Sequence, residues 1–192
     1  MARINSVNCA RKAQGACYTC RQPITPGQSY NWHKANRFAP RFAWHTTCGA
    51  PRPSALESNE KVSLIMAAQE DADDALDALG NWVPDDITYA EFRDHVTEEL
   101  VTIRDNTAEA LREAVTAYEE SASNIEDGFG HETDQSMELR EKGDQLDSDI
   151  SDLEHHEVLD DPGEDAQQEH WEAWMSEAIE DMRSKIGEVD IP

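Results

Sequence analysis

The chain has 192 residues, enough for one medium-sized domain or two small ones. It holds 41 acidic residues against 16 basic ones, a formal net charge of −25, and only 38% of its residues are hydrophobic. No apolar run approaches the roughly 20 residues of a membrane-spanning helix, and the first ten residues lack the long apolar stretch of a signal peptide. We therefore expect no membrane partner and a cytoplasmic protein, in which clustered cysteines more often bind metal than form disulfides.

The charge is divided between two parts of the chain. Residues 1–53 contain eight Lys or Arg and no Asp or Glu, whereas residues 54–192 contain eight Lys or Arg and all 41 acidic residues. The first part carries +8 and the second −33. The sequence thus predicts two domains: a basic head, residues 1–53, and an acidic body, residues 54–192. The boundary falls at Pro51 and Pro53.

Two short pairs of metal-binding side chains lie in the head. Cys17 and Cys20 have two residues between them, and so do His45 and Cys48. Two intervening residues allow a tight turn to direct both side chains at one ion, and Cys₃His is a complete tetrahedral set for structural Zn²⁺. The pattern predicts one structural zinc site and leaves no open position for a substrate.

The alternatives at this site are few. The two pairs could be unrelated, with one partly buried and inert, or His33 could replace His45 as the fourth ligand. Cys9 is interpreted as a free thiol, because four ligands exist without it.

Between the two pairs the head reads as a short β-hairpin. Pro23, Pro26 and Gly27 mark a turn region. The segments 28–33 and 41–45 are short and aromatic-rich, which is typical of strands.

Three motifs of the head form a known pattern. They are Arg11-Lys-Ala-Gln-Gly-Ala-Cys17-x-x-Cys20, Ile24-x-Pro-Gly27 and Trp44-His45-x-x-Cys48. Together, over about residues 11–48, they resemble the zinc finger of poly(ADP-ribose) polymerases. The fingers of that family recognise DNA ends and breaks with basic and aromatic residues, so the resemblance implies DNA binding. In overall layout the chain also resembles uncharacterised small acidic helical proteins of viruses of actinobacteria or haloarchaea.

Basic and aromatic side chains are interleaved throughout the head, an arrangement that suits a nucleic-acid backbone with exposed bases. About half of the aromatics, Trp44 and Phe42 first, are expected in the finger's own small core. Phe38, at a loop tip, is the better candidate for stacking. The predicted nucleic-acid-binding residues are Arg11, Lys12, Arg21, Lys34, Arg37, Phe38 and Arg41.

The body reads as a series of helices. Ser54-x-x-Glu57 and Thr88-x-x-Glu91 match the capping-box pattern at helix N-termini. Apolar residues then recur at helical spacing, and four helices are predicted over about 55–79, 89–127, 134–159 and 166–187. Because the loops between them are short, we expect an antiparallel bundle or helical hairpins. The predicted fold class is mainly α, with a small zinc finger in front.

Two of these helices show a finer periodicity. The second repeats apolar or small residues in steps of 4, 4 and 3, an eleven-residue period that favours straight or slightly right-handed packing. The third has apolar or small residues from Leu139 to Leu153 at steps of 4 and 3, as in the heptads of a coiled coil.

No catalytic constellation is visible in the body, so we expect no enzyme. His155 and His156 are adjacent and point about 100° apart on a helix, which favours surface histidines over a metal corner. Trp171 and Trp174 share a face and are interpreted as core or an oligomer contact, with a partner-binding patch as the lesser alternative.

Two functions follow as hypotheses. In the first, the head binds nucleic acid, DNA before RNA, while the body is a spacer, an oligomerisation element or a partner platform. In the second, the chain is a viral interaction or structural protein. Its acidic helices would then mimic DNA or bind a basic host protein, and the finger would be a protein-binding knob.

Overall fold

The computed structural model describes residues 4–36, 39–83, 87–161, 163 and 168–192. Within them, three strands and five helices follow in chain order: β1 Asn5–Val7, β2 Tyr30–His33, β3 Phe42–His45, α1 Pro53–Leu56, α2 Glu60–Gly80, α3 Tyr89–Phe129, α4 Asp134–Glu154 and α5 Gln168–Gly187. This confirms the predicted fold class, mainly helical with a small β-structure first. The chain forms two compact units, Met1–Met66 and Ala67–Pro192.

The first unit contains a three-stranded antiparallel sheet in the order β1-β2-β3. Tyr30 of β2 pairs with Val7 on one side and with His45 on the other, and His33 pairs with Phe42. The pairing of β2 with β3 is the hairpin expected from the sequence. Strand β1 was not expected, because three residues show no pattern and only the pairing with β2 orders them.

A small apolar core holds this unit together. Trp44 is only 1% exposed, as predicted, and the half-buried Phe42 packs against the same core and meets the ring of Tyr18 edge-on at 5.4 Å. The other buried members are Ala10, Cys17, Ile24, Tyr30, Ala43 and Leu56.

A break separates α1 from α2, where one continuous helix was predicted. Glu57 has extended backbone angles, and its carboxylate accepts the N–H groups of Ser58 at 2.7 Å and Asn59 at 3.0 Å. These bonds point forward along the chain, and they lower the pKa of Glu57. The predicted capping box at Ser54 is therefore wrong: Ser54 lies inside α1, which has no side-chain cap.

The second unit is organised by α3, which has 41 residues and is about 60 Å long. The predicted capping box at its start is confirmed. Thr88 Oγ1 accepts from the N–H of Glu91, and Glu91 Oε2 accepts from the N–H of Thr88 at 2.9 Å. Most of the apolar stripe predicted for this helix is buried: Phe92, Val96, Leu100, Ile103, Thr107, Leu111, Ala114, Tyr118 and Ala122.

Helix α4 packs antiparallel on the C-terminal half of α3. Ion pairs of 2.6 Å join Arg140 to Glu126 near one end of the pair and Arg112 to Glu154 near the other. The helix ends at Glu154 rather than near residue 159. The N–H of His155 still makes a helical bond to the carbonyl of Ser151, but the N–H of His156 bonds to the carbonyl of Leu153, which tightens the last turn and ends the helical ladder.

Helix α5 packs on the N-terminal half of α3. Trp174 is buried, 6% exposed, and its ring lies 6.4 Å from that of Phe92, while Trp171 lies 4.9 Å from Tyr89. Trp174 thus belongs to a core, one of the predicted alternatives, and the half-buried Trp171 packs against the buried ring of Tyr89. The C-terminal part of α2 runs antiparallel to α5, where Arg183 pairs with Asp73 and Asp77.

None of the helices in the described ranges is long and apolar enough to cross a membrane.

Candidate metal centre

The first pair of cysteines lies in a tight turn. The N–H of Arg21 donates to the carbonyl of Cys17 at 2.9 Å, and the N–H of Cys17 donates to the carbonyl of Gln22 at 2.7 Å. Arg21 has a left-handed φ of 62°, which lets the chain turn back after Cys20. The side chains of Cys17 and Cys20 are thereby directed to one side.

The second pair begins at the end of β3. His45 is the last residue of that strand, and the chain then turns so that the N–H of Cys48 donates to the carbonyl of His45 at 3.0 Å. The two turns are also joined directly, since Thr19 Oγ1 donates to the carbonyl of Gly49 at 3.0 Å. The sheet and these bonds hold the pairs side by side.

The four predicted ligand side chains come together in one cluster. The sulfur atoms of Cys17, Cys20 and Cys48 and a ring nitrogen of His45 all lie within 4.8 Å of one another. His45 Nδ1 is 3.4 Å from Cys20 Sγ and 3.8 Å from Cys48 Sγ. The backbone N–H of His45 also donates to Cys17 Sγ at 3.4 Å, so the strand end and the first turn are joined at the cluster. The arrangement is a possible Cys₃His metal site.

The alternatives raised by the sequence are not seen. Across the described ranges, this is the one group of three or more His, Cys, Asp or Glu side chains placed to hold an ion. His33 is buried outside it, and Cys9 is exposed and free. His155 Nδ1 lies 2.6 Å from the carbonyl of Ser151, and His156 Nε2 lies 2.7 Å from Asp181.

The thiols of the cluster influence one another's ionisation. Burial raises the pKa of Cys17, but backbone N–H groups of Cys20 and His45 donate to its sulfur and bring the pKa down to about 6. Burial raises the pKa of Cys48, and the neighbouring sulfurs of Cys20 and Cys17 raise it further, to about 11. One thiolate therefore forms readily, while a further one is opposed by negative charge close by. A cation among the sulfurs removes that opposition, because a coordinating thiol is deprotonated outright.

A glutamine completes the surroundings of the histidine. His45 Nε2 lies 3.3 Å from Gln28 Oε1, on the side of the ring away from the sulfurs. This role of Gln28 was not predicted from the sequence. The only signal for it was the turn residues Pro26 and Gly27 immediately before it.

Several of the residues predicted to bind nucleic acid are exposed on the first unit. Arg11 and Lys12 follow the buried Ala10, and Lys34 follows β2. The guanidinium of Arg21 lies over the ring of Tyr18, 5.1 Å from its centre. Two further predicted residues, Arg37 and Phe38, lie outside the described residues.

The side chain of Arg41 makes two hydrogen bonds and a contact with an aromatic ring. It donates to Gln14 Oε1 at 3.1 Å and to the hydroxyl of Tyr30 at 3.0 Å. Its guanidinium lies 4.5 Å from the centre of the Trp32 ring. Gln14 in turn donates to the carbonyl of Lys12 at 2.9 Å, so the segments carrying Lys12 and Arg41 lie side by side. The sequence did not predict this cation–aromatic pair, since Trp32 lies in β2 and Arg41 lies just before β3.

Comparisons of the chain with models of known protein families, with curated protein sequences and with solved structures found no match.

Proposed function

We propose that this chain is a non-enzymatic zinc-finger protein whose head binds nucleic acid, DNA in the first place. The observation that carries the proposal is the place of the Cys₃His cluster. The cluster lies in a 53-residue segment that has eight positive charges and no negative one. Such a segment repels itself unless a polyanion or the acidic body neutralises it.

The donor set and its spacing favour zinc. Thiolate and imidazole are the ligands of structural Zn²⁺ sites, with bonds of about 2.3 Å to sulfur and about 2.0 Å to nitrogen. In a tetrahedron those bonds place sulfur and nitrogen about 3.5 Å apart. The 3.4 and 3.8 Å separations of His45 Nδ1 from Cys20 and Cys48 fit this value. Bound by four side chains, the ion would fix the two turns against the sheet, and its role would be structural.

The contacts of the head support a nucleic-acid partner. Exposed Arg11 and Lys12 suit phosphate groups, and the guanidinium of Arg41, 4.5 Å from the centre of the Trp32 ring, pairs a cation with an aromatic ring as single-stranded nucleic-acid sites do. Arg41 and Trp32 are thus further candidates for base stacking beside Phe38, the residue that the sequence favours for that role. The acidic body repels DNA, so we expect modest affinity and a role for the body as spacer, oligomerisation element or partner platform.

A binding titration of the full chain tests this proposal. Fluorescence anisotropy with single-stranded DNA, duplex DNA and RNA across a salt series should show affinity that falls steeply as salt rises, because released counterions drive phosphate contacts. The double variant Arg11→Gln, Lys12→Gln should weaken binding and reduce the magnitude of the slope of log K against log salt by about 2, close to one per lost phosphate contact.

The matched control makes the same charge change in the body. Lys142 and Lys185 each pair with a glutamate of their own segment, Glu138 and Glu188. The double variant Lys142→Gln, Lys185→Gln should leave the slope unchanged. No affinity at low salt for any of the three nucleic acids would refute the proposal.

A second function is favoured by the charge of the body, −33 over residues 54–192. Its acidic helices could occupy the nucleic-acid site of a basic partner, and a viral origin would suit that role. In that case the full chain would bind a basic protein such as a histone in a salt-sensitive way, and no nucleic acid would bind the head.

A further inference from the structure

The turn that precedes β2 fastens one side chain in place. Pro26 and Gly27 occupy its two central positions, and the φ of Gly27 is +92°. A type II turn requires a positive φ at this position and commonly has proline before it. The N–H of Gln28 donates to the carbonyl of Thr25 at 3.2 Å. In the opposite direction, the N–H of Thr25 donates to Gln28 Oε1 at 2.7 Å. The side chain of Gln28 is therefore folded back over its own turn.

The Thr25 bond determines which end of the Gln28 amide faces His45. A backbone N–H can only donate, so the atom that it meets must be the amide oxygen. His45 Nε2 lies 3.3 Å from that same oxygen, which has a second lone pair to accept with. An oxygen acceptor requires a hydrogen on Nε2. In neutral imidazole the other nitrogen, Nδ1, then carries the lone pair.

The ring nitrogen without a hydrogen, Nδ1, is the one that faces the sulfur atoms. Nδ1 lies 3.4 Å from Cys20 Sγ and 3.8 Å from Cys48 Sγ. We propose that Gln28 is a positioning residue of the metal site, which holds His45 with its proton on Nε2 and thereby assigns Nδ1 as the metal-binding atom. This inference rests on the proposed zinc binding and specifies the atom and the supporting residue.

The expected loss of zinc affinity depends on where the contact between Gln28 and His45 lies in the site. Removing an outer partner of a ligating histidine typically lowers metal affinity about 10- to 100-fold. Gln28 is exposed, so water can replace part of the bond when its side chain is changed. We therefore expect a loss near the lower limit, about 10-fold.

Two substitutions separate the hydrogen bond from the packing. Gln28→Met keeps the length of the side chain and removes the acceptor, whereas Gln28→Glu keeps an oxygen acceptor. The control, Gln22→Met, makes the same change at an exposed glutamine whose backbone carbonyl, rather than its side chain, supports the first turn. All are made in the full chain.

Two measurements report on the proposal. Long-range ¹H–¹⁵N spectra of the metal-free, reduced chain at about pH 8, above the ordinary pKa of histidine, report the position of the His45 proton. Competition with a zinc chelator gives the affinity for Zn²⁺. Wild type, Gln28→Glu and Gln22→Met should show the proton on Nε2 and bind zinc alike. Gln28→Met should show mixed proton positions and bind zinc about 10-fold more weakly.

The result that overturns the inference differs from the one that overturns zinc binding. If wild type binds zinc and Gln28→Met shows the same proton position and the same affinity, Gln28 does not position the ligand. If Gln28→Glu shows the same proton position and the same zinc affinity as Gln28→Met, the oxygen acceptor does not position His45, and the inference fails as well. If wild type binds no zinc, the proposed function fails, while the proton position in the metal-free chain still tests the role of Gln28.

Discussion

At the scale of single residues, the metal centre depends on contacts of two kinds. Some lie within one tight turn, as between Arg21 and Cys17, and others join separate turns and strands, as between Gln28 and His45. The four side chains of the cluster were predicted because each pair is separated by two residues, which one tight turn spans. The contacts of Gln28 with His45 and of Arg41 with Trp32 could not be predicted in this way. They join residues from different turns and strands, so only the sheet brings them together.

Thr88 is a residue whose contribution can be measured alone. Its hydroxyl accepts from the N–H of Glu91 at the start of α3, so Thr88→Ala leaves that N–H without its cap. We expect a loss of about 1 kcal/mol in the free energy of unfolding, measured by urea denaturation of the helical signal. Thr102→Ala, at an exposed position inside the same helix, should be neutral or slightly stabilising. Equal losses in the two variants would show that the cap contributes nothing.

At the scale of the elements, periodicity predicted the existence of helices better than their ends. The stripe along α3 is long and regular, so one face was assigned to the core with few errors. The end of α4 and the break before α2 were missed because single residues decide them. Glu57 bonds forward to Ser58 and Asn59, and no pattern in the apolar residues reports this. Strand β1 is too short to have a pattern of its own.

The packing of α4 on α3 depends on a close approach at Gly143. A Cβ built there would lie 3.4 Å from the Cβ of Tyr118 and 4.0 Å from the carbonyl oxygen of Val115. Gly143→Leu should therefore force the helices apart and lower the free energy of unfolding by about 1–3 kcal/mol. In the matched variant Gly128→Leu the added Cβ meets nothing within 4 Å, and better helix propensity should leave stability equal or higher.

Urea denaturation of the two leucine variants compares them directly. Equal stability of Gly143→Leu and Gly128→Leu would contradict the close packing of α3 on α4.

At the scale of the whole molecule, composition predicted two parts of opposite charge and little about geometry. The +8 and −33 segments were visible in the sequence, and the structure has a small β-containing unit first and a helical unit after it. The division between the compact units falls inside α2, after Met66, whereas the charge changes at Pro53. Net charge depends on composition, while compactness depends on packing, so the two boundaries need not coincide.

The most direct test of the account is metal analysis of the full chain purified under reducing conditions. Wild type and Cys9→Ser should each hold one zinc ion per chain, because Cys9 is exposed and outside the cluster. Cys48→Ser should hold none. It should also keep its helical circular-dichroism signal, since most of the helical residues lie in the second unit. A metal-free wild type, or a Cys48→Ser variant that retains its zinc, would contradict the central claim.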